Sequence, residues 1–471
     1  MADAGLGRLL ERLAATEWTD LPPAVRRRAG IVLADDLAAV FSALAEQEVR
    51  DFHAHLQRDA AGAGSRHASL LTAGLPRLPV PQAALGNALA MGWNELDEGY
   101  RPATCHAGLY VLPALLATAQ ASGASLRDTL RALVLAYEVV TRVAEAWRFP
   151  AMVIHPHALL APIGAAAGVA FVRRLAPDVV AAAVGTAASL GMAGPFAHAT
   201  RGHLARNTWA AQGAQSGLNA VDWACCGIGA GPEGVGAVLH GALGAAPVPQ
   251  ALEAAAGSWA IENGYHKVHA CCQYVHSAIE AAQALLARQP GLLGGDRIAA
   301  VHVDAHPLAL RLDDERPRTT LGAKFSLPHA VAAALVLGHG GRDAFSGASL
   351  RDARIAALRG RITLGAHDAA GEPPRDRPAR VHVTTVTGER FSVDCWSARG
   401  GPDRPLPESD LRAKWRELAH GHAPGFARQA DAWIACAGSD DQRPLDAGLH
   451  DWLAACFAAG DSDRQGKEHS G

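Results

Sequence analysis

The sequence predicts a mainly α protein with an inserted α+β domain. A large all-helical domain is expected from both chain ends, with a smaller inserted domain between them. Three observations carry this reading. Strong helix formers, Ala, Leu and Arg, dominate the chain up to about residue 265. After about residue 295 the texture turns β-branched and partly alternating. Beyond Pro405 the helical pattern returns. The boundaries read this way are 1–266 and 404–460 for the helical domain and 267–403 for the α+β domain. The last stretch, 461–471, has no apolar residue and is expected to be disordered.

Each element has a local reason. Ser125 and Asp128 have the spacing of a capping box, and apolar residues follow at helical spacing as far as Phe149. Pro177 suits the first turn of a further helix, which is apolar on every face and should lie buried among others. Strands are expected in Arg297–His306, Leu358–Asp368 and Ala379–Trp396, the last folding back on itself at Thr387-Gly388-Glu389. A helix from Pro328 to Leu337 lies among them. The charged, Pro-rich run from Asp368 to Arg380 reads as a surface loop. Two helical stretches close the chain, one following Pro405 and an amphipathic one around Trp433 to Phe457.

Composition narrows the function classes. With 471 residues, 49% of them hydrophobic and 19% charged, the chain can bury a large core. The 43 basic residues do not exceed the 46 acidic ones, so nothing attracts a phosphate backbone and no nucleic-acid partner is expected. The eight cysteines include two adjacent pairs, Cys225-Cys226 and Cys271-Cys272, which do not easily bridge internally and favour reduced thiols. The N-terminus carries charges where a signal peptide needs an apolar core. The longest apolar stretch, from Ala158 to Val172, is broken by Pro162 and is too short for the roughly 20 residues that span a bilayer. A cytoplasmic protein without a membrane partner is the expectation.

Four histidine-bearing segments concentrate polar groups beside apolar or Gly-rich helix starts. Asn94–Gly108 packs Glu95, Asp97, Glu98, Arg101 and His106 before an apolar helix, and fits either a solvated cap or acid/base groups over a bundle end. His155 and His157 precede a small-residue run whose helix N-terminus would favour an anion, although structural histidines fit equally. Arg201 and Arg206 flank another small-residue stretch, either as surface salt bridges or as carboxylate clamps. Lys267, His269, Cys272 and His276 crowd the junction between the helical and α+β regions, where ligand clefts tend to form. No phosphate-binding loop, dinucleotide fingerprint, metalloprotease motif or nucleophile elbow occurs. No organic cofactor and no metal are expected.

The segments ELDEGYRPATCHAG, IHPHALLAPIGAAAG, KVHACCQYVHSAIEA and RPRTTLGAKFSLPHAVAAAL, in this order, resemble the MmgE/PrpD family over nearly the whole chain. The family includes 2-methylcitrate dehydratase, cis-aconitate decarboxylase and an iminodisuccinate epimerase. The resemblance implies a helical domain with an inserted lid, a homodimer, and cofactor-free chemistry on a small polycarboxylate. It places Asp97, His106, His155 and Lys267 at catalytic positions. It assigns Arg206, Cys272, His276, His329 and Arg101 to substrate binding. Arg206 stands where many members have lysine, His329 where tyrosine is usual, and Cys272 where the decarboxylase branch has histidine. Lys324 is atypical beside the cleft, and Asn94 lies where many relatives have a histidine.

Removing a proton beside a carboxylate needs a base with a pKa near neutral, and the enolate-like charge that develops needs fixed cations. The reading is therefore a cofactor-independent hydro-lyase acting on a 2-methylcitrate-like acid. Alternatives are an epimerase of a substituted succinate, a decarboxylase of a cis-aconitate-like acid, or a non-catalytic dimeric carboxylate-binding protein. Either His106 or His155 fits the base, the other then being the acid.

Overall fold

The computed structural model describes residues 2–62, 67–253 and 257–458. The stretch 461–471 read as a disordered tail lies outside the described residues.

At the centre of the helical part runs Pro156–Val172, buried on every face from His157 onward. Helices Ala107–Ser122, Leu126–Ala146, Pro177–Ser189 and Thr208–Cys225 surround it. Small residues set these distances. A Cβ at Gly213 would stand 2.5 Å from that of Ala161, and one at Gly217 would stand 2.4 Å from that of Ala165. The sequence treats Pro162 as a break in the apolar run, yet the helix passes through it. Pro162 cannot donate to the Ala158 carbonyl, and the Met192 amide takes that acceptor instead at 2.9 Å.

The expected cap at Ser125 is present, its hydroxyl accepting from the Asp128 amide at the start of Leu126–Ala146. The Pro177 helix forms, but not wholly buried: Val179, Ala181, Ala182 and Thr186 remain half-exposed. Alanine methyls bury too little area to force complete coverage.

The chain ends meet. Glu408–Ala419 and Phe426–Gly438 pack on Pro23–Ala43, where Trp433 donates to the Gly30 carbonyl at 2.9 Å and Lys414 reaches Asp35 at 2.7 Å. The predicted single stretch from Trp433 to Phe457 is instead two helices, Phe426–Gly438 and Leu449–Phe457.

Between these ends lies a four-stranded mixed sheet in the order Arg390–Cys395, Ala379–Thr385, Ile298–Ala305, Ile362–Ala366. The last two are parallel and the other pairs antiparallel. The hairpin turns at Gly388, whose φ of +87° suits a residue without a Cβ. Burial alternates strictly along Ala379–Thr385, leaving one face to His276–Arg288. The strand expected from Leu358 begins only at Ile362, because Asp352 caps a helix, Ala353–Arg359, that claims the first residues. The loop read at Asp368–Arg380 holds until Ala379 joins the sheet.

Two short strands position the functional loop. Gly99–Tyr100 pairs antiparallel with Gly264–Tyr265, tying the segment after Trp93 to the entry of the α+β region. A Cβ at Gly99 would lie 2.4 Å from the Tyr265 ring, so this register requires glycine. Gly99→Ala should cost about 1–3 kcal/mol, read as a lower urea midpoint, because Tyr265 or the backbone must move. An unchanged midpoint would show that the pairing is not tight.

Candidate active site

Three helix N-termini converge on one cleft. His106 is the N-cap of Ala107–Ser122, His155 is the N-cap of Pro156–Val172, and Arg206 sits in the 3₁₀ turn that leads into Thr208–Cys225. Each helix presents its positive end there, so the cleft favours anions before any side chain is counted. Its empty volume is about 440 Å³. Glu95, His106, His155, Arg206 and Tyr265 line it from the helical side, and Cys272, Gln273, Tyr274, Phe325 and Arg377 from the α+β side.

The loop from Asn94 to His106 is not a solvated cap. Glu95, Asp97 and Glu98 are each at most 2% exposed, and Glu95 adopts a left-handed φ of +53°. That conformation is costly for a residue with a side chain and is held by ion pairs. The Glu95 carboxylate lies 2.6 Å from Arg206 Nη2 and 3.3 Å from Lys267 Nζ. Lys267 also reaches Asp97 Oδ1 at 3.3 Å, and the other Asp97 oxygen meets His106 Nδ1 at 2.6 Å. Arg206 Nε approaches His155 Nε2 at 3.4 Å.

These contacts fix protonation. Burial pushes Asp97 up, but Lys267 and His106 outweigh it and hold the carboxyl well below its usual range. Glu95 is likewise raised by burial but brought down to about 2 by Arg206 and Lys267. Burial works against the Lys267 charge, yet Asp97 and Glu95 overcome it and raise its pKa. An ionised Asp97 only accepts, so the proton between it and His106 belongs to Nδ1, and in the neutral ring Nε2 is then the acceptor. His155 is pushed well below the ordinary histidine value by burial and by the Arg206 guanidinium, and stays neutral. His157, behind them, is pushed down in the same way; its Nδ1 pairs with the Tyr110 hydroxyl at 2.8 Å and its ring packs against both His106 and His155.

A second buried layer supports the loop. Glu98 accepts from the Gly108 amide at 2.7 Å and from the Tyr137 hydroxyl at 3.1 Å, while Asp36 accepts from the Glu98 amide at 2.9 Å. Burial raises Glu98 to about 7. A carboxyl raised on folding stabilises the protein below its unfolded pKa and loses that contribution as pH rises through the folded value. The Glu98 contribution to stability should therefore decline from about pH 4.5 to about pH 7. Glu98→Gln should remove about 2–3 kcal/mol of that decline in urea titrations at pH 5 and pH 7. A slope equal to wild type would contradict the buried, neutral carboxyl.

The sequence-expected residues divide. His106, His155, Arg206 and Cys272 reach the cleft wall. Asp97 and Lys267 do not: they form the layer directly behind, fully enclosed, and act on His106 and Glu95. His276 is outside the cleft, with Nε2 at 3.3 Å from the Cys271 carbonyl and its ring against His269. His329 is likewise outside, set in the α+β core between the Ala344 carbonyl and Arg359, because the Ser326 cap turns its helix that way. Arg101 is bound to Asp376 and does not line the wall. Lys324 points away from the cleft, donating to the Trp93 carbonyl and the Asn94 amide oxygen. Cys272 has its thiol pushed up to about 12 by burial and is neutral.

Sequence reading passed over Arg377, which sits in the loop taken for surface. It is 9% exposed, bound to Gln273 Oε1, stacked over the Tyr274 ring at 5.2 Å, and its Nε lies 3.5 Å from Asp376. Nothing in the run RDRPAR distinguishes it from its neighbours. Tyr265, Tyr274 and Gln273 were passed over too. On the cleft wall Arg206 and Arg377 outnumber Glu95, which leaves the wall cationic. Among the described residues no cluster of His, Cys, Asp or Glu has the makings of a metal site, and no helix is long and apolar enough to cross a membrane.

Fold and cleft together define a mainly helical protein with a buried acid/base and cation cluster. The chain belongs to the MmgE/PrpD family: residues 7–248 match the MmgE/PrpD N-terminal domain and residues 269–436 the C-terminal domain. The activity general to that family is of the lyase type. The chain is similar to the cis-aconitate decarboxylase-like protein oryM of Aspergillus oryzae, with 27% identity over 368 residues, covering 72% of this chain and 76% of that protein.

Proposed function

We propose that the protein is a cofactor-independent hydro-lyase that dehydrates a small hydroxy di- or tricarboxylate of the 2-methylcitrate kind. The observation that carries this is the Asp97–His106 pair at 2.6 Å on the wall of a cleft at three helix N-termini, beside Arg206 and Arg377; in the neutral ring this pairing makes Nε2 the base. The substrate carboxylates lie against Arg206 and Arg377. His106 Nε2 removes the proton on the carbon beside a carboxylate, the C–H electrons move into an enolate-like system, and Arg206 stabilises the charge. The C–O bond then breaks. The His106 imidazolium returns its proton to the departing hydroxyl, which leaves as water. Proton and hydroxyl depart from one face, so the elimination is syn. In this scheme His155 is neutral and orients Arg206, so the two histidines are not interchangeable. Lys267 and Asp97 are positioning residues.

Proton NMR of the purified protein with 2-methylcitrate, citrate, cis-aconitate and substituted succinates tests this. A new alkene resonance from a hydroxy acid is the expected result. Deuterium exchange in D₂O without net conversion would favour an epimerase, and loss of a carboxyl group a decarboxylase. An inert panel with folded protein would overturn the assignment to acids of the 2-methylcitrate kind.

A further inference from the structure

A second, larger cavity lies beside the cleft, and Ala103, Thr104, Pro156 and Arg377 line both. Its walls are apolar and come from both parts of the chain: Trp147, Leu159, Leu160 and Leu239 from the helices, and Leu308 from the α+β region. The charged groups that line it, Arg148, Arg311 and Arg377, are all cationic, and no carboxylate lines it. Arg311 is anchored to the Met152 carbonyl at 3.1 Å and stacks on Phe196, itself a cleft residue, at 4.8 Å. An apolar trough that shares an arginine-bearing wall with a carboxylate cleft fits one kind of molecule, an anionic head carrying an apolar tail.

From this shared wall we infer that the substrate bears an apolar substituent longer than a methyl group on its carboxylate-bearing skeleton, with the tail in the groove between Leu160 and Leu308. The inference rests on the carboxylate reading of the cleft. It makes Leu160, Leu239 and Leu308 the residues that set chain-length preference, and Arg377 the hinge between head and tail subsites. A citrate or methylcitrate would leave the groove filled with water.

Calorimetric titration of the full chain with a homologous series of 2-alkylsuccinates, methyl through octyl, reads this directly. Each methylene that enters the groove should tighten binding roughly threefold to fourfold until the groove is full. Leu308→Asp, and separately Ala144→Trp on the groove-lining face of Leu126–Ala146, should flatten that series. The wild-type series decides the matter even if a variant misfolds. Equal affinity across chain lengths, with methylsuccinate bound, overturns the groove assignment and leaves the carboxylate cleft standing. No binding of any member, methylsuccinate included, fails the carboxylate reading first and the groove with it. A chain-length-independent series, together with a light-scattering mass that halves in Leu308→Asp, would assign the groove to a second copy and also overturn the inference.

Discussion

Asp97→Asn lowers turnover by about 10³–10⁴-fold while the protein stays folded. The Asp97 carboxylate accepts from His106 Nδ1 at 2.6 Å and so, in the neutral ring, makes Nε2 the acceptor. A side-chain amide at this position donates as readily as it accepts, and the ring then carries its proton on Nε2, where the lone pair is needed. The magnitude is that seen when a carboxylate-held histidine base loses its tautomer. The check is kcat at pH 7 with the best acid from the NMR panel, with circular dichroism as the folding control. Asp97→Glu, which keeps an acceptor, should recover part of the rate. Full activity in Asp97→Asn would remove His106 from the role of base.

Lys267→Met lowers stability by about 3–5 kcal/mol at pH 7, the cost of leaving buried charge unpaired. Lys267 is fully enclosed and is shared by Glu95 and Asp97, each 3.3 Å away. Arg206 still serves Glu95, but Asp97 keeps only His106. The deficit depends on pH, and its sign follows from the carboxylates. In wild type, Glu95 titrates at about 2 rather than the ordinary 4.5. Its contribution is complete above pH 4.5 and is lost as the pH falls towards 2. Without the lysine both carboxyls move up, so the gap between variant and wild type should narrow from pH 7 to pH 4. Urea unfolding at the two pH values measures this. A constant gap would mean that Lys267 contributes by packing rather than by charge.

The coarse fold was legible because it rests on periodicity and composition. The β-branched stretch at Ile298–Ala305, the turn at Gly388 and the cap at Ser125 are local signals that the structure keeps. The failures came where tertiary contacts decide. Pro162 interrupts the apolar run, but whether the helix continues through it depends on the Met192 amide, which takes the freed carbonyl. Leu358 reads as strand until Asp352 caps a helix across it. Within the site, His106 and His155 stand out because each precedes an apolar helix, and the same reasoning reaches Arg206. It does not separate wall from support: Lys267, Asp97 and His276 share motifs with cleft residues yet face elsewhere, and only the packing of Gly99–Tyr100 on Gly264–Tyr265 shows which way. Glu95 is named in the loop but not singled out, since its role depends on Arg206, over a hundred residues later in the chain. Arg377 carries no local signal, because a Pro-rich charged run looks the same whether its arginines point to solvent or into a cleft.

In the proposed reaction His106 Nε2 takes the proton beside a substrate carboxylate. Proton NMR in D₂O, following loss of that proton's signal for wild type and His106→Gln with one responsive acid, reads this step. Exchange or elimination is expected in wild type and a loss of about 10²–10⁴-fold in His106→Gln, with His155→Gln affected through Arg206 rather than through the proton step. Equal exchange in wild type and His106→Gln would contradict it.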